Sequence, residues 1–262
     1  MPLTPFQKEV TRLLAANRNP ESHVAGGAVV NRDEASFRFS DDLDLFHDAA
    51  SSVAVCSEAD AQTLLKHGYS VEWLLRQTGF YRAAVRRGAE SLKLDWCADS
   101  AFRFFPVQPD DEFGYCLHRA DLATNKALAL AGRVEIRDYI DILYLDSDYL
   151  GLGAIVWAAC GKDEGYTPWS LLDMAKRHVR FREEDLEREN LARPVTLKDL
   201  KERWIAAVAR AEELFPRLPA QEIGCLYLAA DGSPVTPIPG EPDAVQQVRH
   251  FGSVRGAWPR LN

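Results

Sequence analysis

Two aspartates separated by one residue, in the segment Asp42-Leu43-Asp44-Leu45-Phe46, have the type and spacing needed for metal-assisted chemistry. The alternation of acidic and apolar residues predicts a β-strand, in which residues two apart project from the same face. Adjacent carboxylates repel each other unless a cation lies between them, and Mg²⁺ prefers such oxygen ligands. The pair therefore indicates a magnesium site of the kind that supports phosphoryl or nucleotidyl transfer. The alternative interpretation is a solvated acidic turn.

A third carboxylate from a neighbouring strand would complete such a site. The segment Ser91–Cys97 alternates apolar and polar residues, which predicts a strand with Asp95 on its polar face. Asp95 is therefore the first candidate for a third metal ligand, and Asp99 is the second. An exposed strand aspartate that binds nothing is the alternative.

A glycine pair, Gly26-Gly27, follows a short apolar segment upstream of the acidic strand. Glycines at such a point allow backbone amides to approach a phosphate closely. We assign both glycines to nucleotide binding, together with Ser40, which lies just before the acidic pair. For the glycines, a plain turn without a ligand is the alternative.

Lys126 lies in a predicted helix with a leucine four residues to either side, and therefore along an apolar stripe. Its ammonium either extends to solvent or serves an anionic partner such as a triphosphate. In the next predicted helix, Asp138 and Asp141 share a side. They belong either to a surface ion pair with Arg137 or to a site, where one of them acts as a base or as a brace for Lys126.

The elements that must position these residues divide the chain. Periodicity predicts an α+β part over residues 1–118 and a helical part over 119–220, followed by a Pro- and Gly-rich part over 221–262 with a small hairpin and an irregular tail. Within the first part we expect a helix over Glu58–Gln77, which could be interrupted near Gly68, and then strands over 80–85 and 91–97.

Composition limits the class of protein. With 47% hydrophobic and 27% charged residues, the chain is globular rather than disordered. No apolar run approaches the roughly 18 residues of a membrane span, and no export signal is recognised, so we expect a cytoplasmic protein without membrane association. The five cysteines form no C-x-x-C pair, which favours buried thiols over a zinc site.

The net charge of −8 argues against a protein that binds duplex nucleic acid non-specifically. A nucleic-acid substrate would need a local basic patch on this acidic body. The candidates are four arginines, Arg76, Arg82, Arg86 and Arg87.

Four motifs follow one another in the chain: a glycine pair, S-x-D-L-D, a helix lysine and R-D-x-x-D. They lie in the segments Gly26-Gly27, Arg38–Phe46, Asp121–Leu130 and Arg137–Ile142. In this order they resemble the AbiEii/AbiGii family of abortive-infection and toxin-type nucleotidyltransferases, within the polymerase β-like superfamily. The resemblance covers roughly residues 20–145. It departs from the family at Ala28, where members often carry a Thr or Ser hydroxyl after the glycines.

The resemblance implies a nucleotidyltransferase-like mixed sheet with flanking helices, followed by a helical domain that completes a cleft. It matches Asp42 and Asp44 to the metal-binding pair, Lys126 to the lysine that contacts the nucleotide, and Asp138 to the acidic residue that acts in catalysis. Relatives use nucleoside triphosphates, and some add nucleotides to transfer RNA. For this chain we expect Asp42 and Asp44, with Asp95, to hold one or two Mg²⁺. Such toxins are commonly paired with an antitoxin protein.

Three hypotheses on function stay open at this point. The first is a magnesium-dependent nucleotidyltransferase that modifies transfer RNA or another RNA, as a toxin. The second is a nucleotidyltransferase for a small molecule, an antibiotic or metabolite, which an acidic protein would suit if the acceptor were cationic. The third is a non-catalytic nucleotide-binding or regulatory protein on the same fold. Ala28 favours the third, and the presence of Asp42, Asp44 and Lys126 together argues against it.

Overall fold

The computed structural model describes residues 3–238 and 248–260. These fall into two compact units. The first runs to Ala101 and resumes over Pro106–His118, and the second comprises Phe102–Phe105 and the chain from Arg119 onward. The division of the chain into 1–118, 119–220 and 221–262 stays a prediction.

Strands and helices alternate in the first unit, and helices dominate the second. The strands are β1 (Ser22–Ala25), β2 (Asp42–His47), β3 (Ser70–Gln77), β4 (Phe80–Arg87), β5 (Glu90–Ala98), β6 (Phe102–Arg103), β7 (Gln108–Asp110), β8 (Gly114–Cys116), β9 (Cys225–Leu228), β10 (Val248–Phe251) and β11 (Ser253–Val254). The α-helices are α1 (Pro5–Ala15), α2 (Gly26–Val30), α3 (Ala50–Lys66), α4 (Arg119–Gly132), α5 (Ile136–Asp148), α6 (Leu152–Ala159), α7 (Pro168–His178), α8 (Glu183–Glu187) and α9 (Leu197–Leu214).

A seven-stranded mixed sheet forms the first unit, in the order β3-β4-β5-β2-β1-β8-β7. The pairs β2–β5 and β1–β8 are parallel, and the other neighbours are antiparallel. The predicted α+β class with a mixed sheet and flanking helices is thereby confirmed. The acidic strand β2 lies between β1 and β5 in the interior of the sheet, so its backbone is hydrogen-bonded on both sides and its side chains are held in register.

The apolar side of the acidic strand packs as its alternation predicts. Leu43 and Leu45 of β2 and Leu94 and Trp96 of β5 are at most 2% exposed. Helix α3 packs against these strands. The carboxylates of β2 and β5 are therefore left on the opposite face of the sheet.

A buried ion pair ties the helices of this unit to β5. Arg18 donates to both carboxylate oxygens of Asp60 on α3, at 2.5 and 2.6 Å, and both side chains are fully buried. The indole of Trp96 donates to the same carboxylate at 2.7 Å. The side-chain amide of Asn17 is a third donor to Asp60, at 2.8 Å, and loss of Arg18 would leave the charge of this acid uncompensated in the core.

In the second unit, a short extended segment is held by one buried acid. Asp121 on α4 accepts the backbone N–H groups of Phe104 and Phe105 at 2.8 and 3.1 Å. The ammonium of Lys162 lies 2.8 Å from the same carboxylate. These contacts explain why Phe102–Phe105 belongs with the helices rather than with the sheet.

The predicted helix over Glu58–Gln77 is wrong in its second half. Helix α3 ends at Lys66, Gly68 adopts a positive φ of 80°, and the chain continues as the edge strand β3. The physical reason is pairing with β4 over almost the whole length of β3, which outweighs the helical propensity of the individual residues.

The predicted C-terminal hairpin is only partly correct. A turn at Asp231-Gly232 does bring Leu228 opposite Pro234, but as a single bridge. The ladder partner of β9 is β10, which comes about twenty residues later and pairs antiparallel with it. The rest of the predicted tail, residues 239–247 and 261–262, lies outside the described residues.

Two expectations drawn from composition can be compared with the structure. Over residues 3–238 and 248–260, no single helix is long and apolar enough to cross a membrane; α5 and α6 meet that criterion only as a pair, bent by 115°. All five cysteines are free thiols, as expected, but only Cys116, Cys160 and Cys225 are buried, whereas Cys56 and Cys97 are half-buried.

His47, at the end of β2, gives the fold a testable dependence on pH. Its side chain is fully buried, and neither ring nitrogen has a hydrogen-bond partner among the described residues. Burial, together with the charge of Arg18, lowers the pKa of His47 from 6.5 to about 4. The folded state therefore holds a neutral imidazole that the unfolded chain protonates more readily.

We expect this stabilisation to be fully present above about pH 6.5 and to be lost as the pH falls from there towards about 4. Between about pH 7.5 and pH 5, the free energy of unfolding should drop by about 2 kcal/mol through this residue. Urea unfolding at the two pH values measures the drop, and His47→Leu should abolish it. The matched control is His67→Leu, at an exposed position just after α3, which should leave the drop unchanged.

Candidate functional site

Three carboxylates meet on the open face of the sheet. Asp42 and Asp44 project from β2, and Asp95 projects from β5, directly opposite Asp44 in the parallel register. One ligand oxygen of each lies within 4.8 Å of the others. Asp42 and Asp95 are 8% and 4% exposed, and Asp44 is half-buried. The structure thus brings the three predicted metal-ligand candidates together in what we term the carboxylate cluster.

Basic side chains of β4 and β5 contact the carboxylate cluster. Arg82 lies opposite Asp95 and donates from Nε and Nη2 to its two oxygens, at 2.7 and 2.6 Å. Lys93 lies opposite Asp42, with its Nζ 3.3 Å from Oδ2 of that carboxylate. Because a bidentate guanidinium fixes the plane of a carboxylate, Arg82 sets the orientation of Asp95.

Gly26 lies against Asp44 at the start of α2. It has a positive φ of 66°, and a Cβ at this position would lie 1.9 Å from Oδ2 of Asp44. A side chain is therefore excluded both by backbone conformation and by the carboxylate. The glycine is required for the polypeptide backbone to approach the carboxylate cluster this closely.

Gly27 and Ser40 meet beside this turn. A Cβ on Gly27 would lie 2.8 Å from the Ser40 hydroxyl oxygen. That hydroxyl donates to the backbone oxygen of Asp42 at 3.0 Å, and the Ser40 backbone oxygen accepts from the side chain of Gln7 at 2.5 Å. The predicted nucleotide-binding residues of this unit, Gly26, Gly27 and Ser40, thus lie around the beginning of the acidic strand.

The donor set of the carboxylate cluster fits a hard cation. It consists of carboxylate oxygens, which are the ligands that Mg²⁺ prefers. Cys97 follows Asp95 on the same face of β5, but burial, and then the charges of Asp44 and Asp95, raise its pKa well above that of a free thiol. In the metal-free protein this thiol is therefore protonated at neutral pH.

In the second unit, Lys126 on α4 lies between two acids of α5. Its ammonium is 2.9 Å from Asp138 and 2.7 Å from Asp141, and both carboxylates are fully buried. Arg133 adds a second cation to Asp138, at 2.7 Å. Burial alone would raise the pKa of Asp138, but the Lys126 and Arg133 charges outweigh it and hold that pKa below its usual range.

The remaining candidates lie outside these two clusters. Asp99 is exposed beyond the end of β5, where it accepts the backbone N–H of Ser100. The four arginines of the predicted basic patch each pair with an acid: Arg76 with Glu58, Arg82 with Asp95, Arg86 with Glu72 and Arg87 with Glu9. Positive charge on β3 and β4 is therefore locally compensated.

Sequence reasoning did not identify Lys93 as part of the site, and it placed Arg82 in a nucleic-acid patch. The signal for Lys93 was the alternation of β5, which puts Lys93 on the same face as Asp95. Which residue of β2 it would oppose depends on the register of two strands that are far apart in the chain, and no local pattern encodes that register.

The effect of the Asp44 contact on stability at Gly26 can be measured separately from the effect of backbone strain. Gly88, in the β4–β5 turn, has a similar positive φ of 62° but no atom within 4 Å of the position of an added Cβ. Gly88→Ala should therefore lower the free energy of unfolding by about 1 kcal/mol, through strain alone. Gly26→Ala should lose at least about twice as much, because Asp44 must also move.

Urea unfolding of the two variants makes this comparison, and Mn²⁺ binding gives a second measurement. Gly88→Ala should bind Mn²⁺ as the wild type does, whereas Gly26→Ala should bind it more weakly. Equal losses of stability in the two variants would show that the Asp44 contact adds nothing.

The stability of the protein should depend strongly on the ammonium that Lys126 places between Asp138 and Asp141. Lys126→Met leaves two buried carboxylates without their shared ammonium and should lower the free energy of unfolding by about 3–5 kcal/mol. The control is Lys198→Met on α9, where an exposed lysine pairs with Glu202 at 3.9 Å. It should change stability little, since surface ion pairs contribute little. Denaturant unfolding compares the two, and similar losses would refute the role of the buried ammonium.

Comparison with known proteins identifies the fold. No protein-family model and no curated protein matches the chain. Among solved structures, it is similar to MenT4, a nucleotidyltransferase toxin from Mycobacterium tuberculosis, with a TM-score of 0.57 and 16% identity over 82% of this chain and 83% of the other. Matches to two Helicobacter pylori proteins, a candidate nucleotidyltransferase (17% identity, TM-score 0.48, 83% of this chain and 100% of the other) and JHP933 (16%, 0.47, 81% and 92%), are weaker. The chain therefore has a nucleotidyltransferase fold.

Proposed function

We propose that this chain is a nucleotidyltransferase, which moves a nucleoside monophosphate from a nucleoside triphosphate to an acceptor hydroxyl. The observation that carries the proposal is the carboxylate cluster, in which oxygens of Asp42, Asp44 and Asp95 lie within 4.8 Å of one another beside a glycine turn. The nucleotidyltransferase fold supports it independently. Membership of the AbiEii/AbiGii family, to which the four motifs point, is part of the same proposal.

Asp42, Asp44 and Asp95 would hold one or two Mg²⁺ ions. When bound, the metal supplies positive charge that activates the attacking oxygen and stabilises the leaving pyrophosphate. The contribution of the chain is to fix the ligands: the interior position of β2 holds two of them, and the guanidinium of Arg82 orients the third.

The turn at Gly26 and Gly27 would bind the triphosphate through its backbone amides, which glycine allows a phosphate to approach closely. The hydroxyl that relatives carry after the glycines is replaced by Ala28. Ser40, whose hydroxyl lies beside Gly27, would supply another one by exchanging its hydrogen bond to the Asp42 backbone oxygen for one to a phosphate. This makes Ala28 compatible with nucleotide binding and weakens the case for a non-catalytic protein.

For the second unit, we propose that Lys126 contacts the nucleotide and that Asp138 acts as its brace rather than as a base. A catalytic base must take up a proton near neutral pH. Asp138 is fully buried, contacts Lys126 and Arg133, and has a lowered pKa, so it remains a carboxylate and holds the ammonium in place. Asp141 would hold the ammonium from its other side.

The acceptor is proposed to be RNA, with transfer RNA as the first candidate, in a protein that acts as a toxin restrained by an antitoxin protein. The fold likeness to a nucleotidyltransferase toxin supports this role. A small molecule is the second candidate acceptor. The pairing of all four arginines on β3 and β4 with carboxylates favours it, because it leaves less positive charge for a nucleic-acid backbone.

A label-transfer assay tests the proposed activity. The protein is incubated with each α-labelled nucleoside triphosphate, Mg²⁺ and total cellular RNA, or with a small-molecule extract. We expect labelled RNA from at least one triphosphate, and a loss of about a hundredfold or more in Asp44→Asn and Asp95→Asn, which remove a metal ligand. Asp99→Asn is the matched control, since Asp99 lies outside the carboxylate cluster, and it should transfer label normally.

Each outcome decides between the candidates. Label on RNA supports the first acceptor, and label on a small molecule supports the second. Transfer that survives in Asp44→Asn would overturn the role of the carboxylate cluster, and no transfer with any triphosphate would overturn the enzymatic proposal. Induced expression in a bacterial host tests the toxin role: growth should stop with the wild type and continue with Asp44→Asn.

A further inference from the structure

Lys93 contacts the carboxylate cluster, but the proposed function does not use its chemistry. It projects from the same face of β5 as Asp95, two residues earlier, and stands opposite Asp42 in the register of β5 and β2. Its neighbour on the other side, across the β4–β5 pair, is the small, uncharged Ala84. The ammonium is therefore directed by the sheet towards Asp42.

The two cations of the carboxylate cluster are held differently. Arg82 makes two hydrogen bonds of 2.6–2.7 Å to both oxygens of Asp95. Lys93 makes a longer contact of 3.3 Å to one oxygen of Asp42, and about a third of its side chain is exposed. A lysine with four flexible bonds and a single long contact can leave its partner at little cost, whereas the bidentate guanidinium cannot. Lys93 is thus the exchangeable cation and Arg82 the fixed one.

An ammonium and a divalent cation cannot share one carboxylate without repulsion. Both would be attracted to the Asp42 carboxylate, and like charges a few ångströms apart repel strongly near a protein surface. A divalent cation that binds Asp42 therefore competes with Lys93 for this carboxylate. Once displaced, the ammonium still lies beside the carboxylate cluster on its half-exposed side chain, where it can contact phosphate oxygens.

We propose that Lys93 is an exchangeable counter-ion of the metal centre: it occupies Asp42 in competition with the divalent cation and, when displaced, binds the phosphates of the substrate or of the leaving pyrophosphate. This inference rests on the proposed function, since it assigns a partner to the same carboxylates. It makes Lys93 a residue with two effects of opposite sign. It weakens metal binding and strengthens anion binding.

The test measures both effects in Lys93→Met. Titration of Mn²⁺, followed by the electron paramagnetic resonance signal of the free ion, should show affinity about tenfold tighter than in the wild type, because the competing charge is gone. Binding of inorganic pyrophosphate in saturating Mg²⁺, followed by calorimetry, should weaken severalfold. The matched control is Arg86→Met, on the same face of β4 as Arg82 but paired with Glu72, which should change neither value.

A measurement on the wild type keeps the proposal testable if the variant folds poorly. With ¹⁵N-labelled lysine, the ammonium signal that is absent from Lys93→Met identifies Lys93. Under the proposal, that signal shifts during Mg²⁺ titration with the midpoint of metal binding, whereas the signal of Lys198, an exposed lysine on α9, does not.

The outcomes separate this inference from the proposed function. Unchanged or weaker Mn²⁺ affinity in Lys93→Met, or a Lys93 signal that ignores Mg²⁺, would overturn the counter-ion role even if nucleotidyl transfer is found. The opposite pair of results is tighter Mn²⁺ binding in the variant without transfer to any acceptor. It would support the counter-ion role of Lys93 and overturn only the enzymatic proposal. If neither the wild type nor Lys93→Met binds Mn²⁺, both proposals fail.

Discussion

Mutual repulsion among three carboxylates is the constraint that the first unit has to satisfy. The carboxylates of Asp42, Asp44 and Asp95 lie together on one face of the sheet, with oxygens within 4.8 Å of one another. The fold opposes this repulsion in two ways. It places the ligands on interior strands, where the ladder of backbone hydrogen bonds fixes their positions, and it contacts two of the carboxylates with the cations Arg82 and Lys93. These cations offset part of the repulsion, and the carboxylate oxygens still attract a divalent cation.

The second unit has to stabilise a buried cation instead of clustered carboxylates. Lys126 lies on an apolar stripe of α4, and its ammonium is stabilised by two buried carboxylates of α5. Arg133, which is half-exposed, adds a second cation next to Asp138. Such a network stabilises little on balance compared with apolar packing, because its members lose their hydration, yet removing one member is costly. Its benefit is a lysine with a fixed position, which a phosphate-binding group needs and a solvent-exposed lysine lacks.

The sequence predicted those parts of the site that depend on local periodicity. The alternation at Asp42–Phe46 placed Asp42 and Asp44 on one face and two leucines in the core, and the alternation of β5 selected Asp95 over Asp99; the structure places all of them accordingly. It could not predict the contacts of Lys93 or Arg82, because these depend on which strands are neighbours and in what register. The same reason explains the error at β3, whose eight residues read as a continuation of α3 until their pairing with β4 is known. For β9, the partner β10 lies too far along the chain for a local turn signal to reveal it.

The net charge of a protein and the charge it can offer to a ligand are different quantities, and this chain shows the difference. Arg76, Arg86 and Arg87 could attract a nucleic acid, but each contacts a glutamate at the surface. Such exposed pairs are weak, so the phosphates of a nucleic acid could replace the glutamates as partners of the arginines. Each replacement would leave an unpaired glutamate close to the same phosphates. The gain per contact is therefore smaller than for an unpaired arginine. If RNA is the acceptor, its recognition has to rely on shape, stacking or groups other than these arginines, whereas a small acceptor would meet no such requirement.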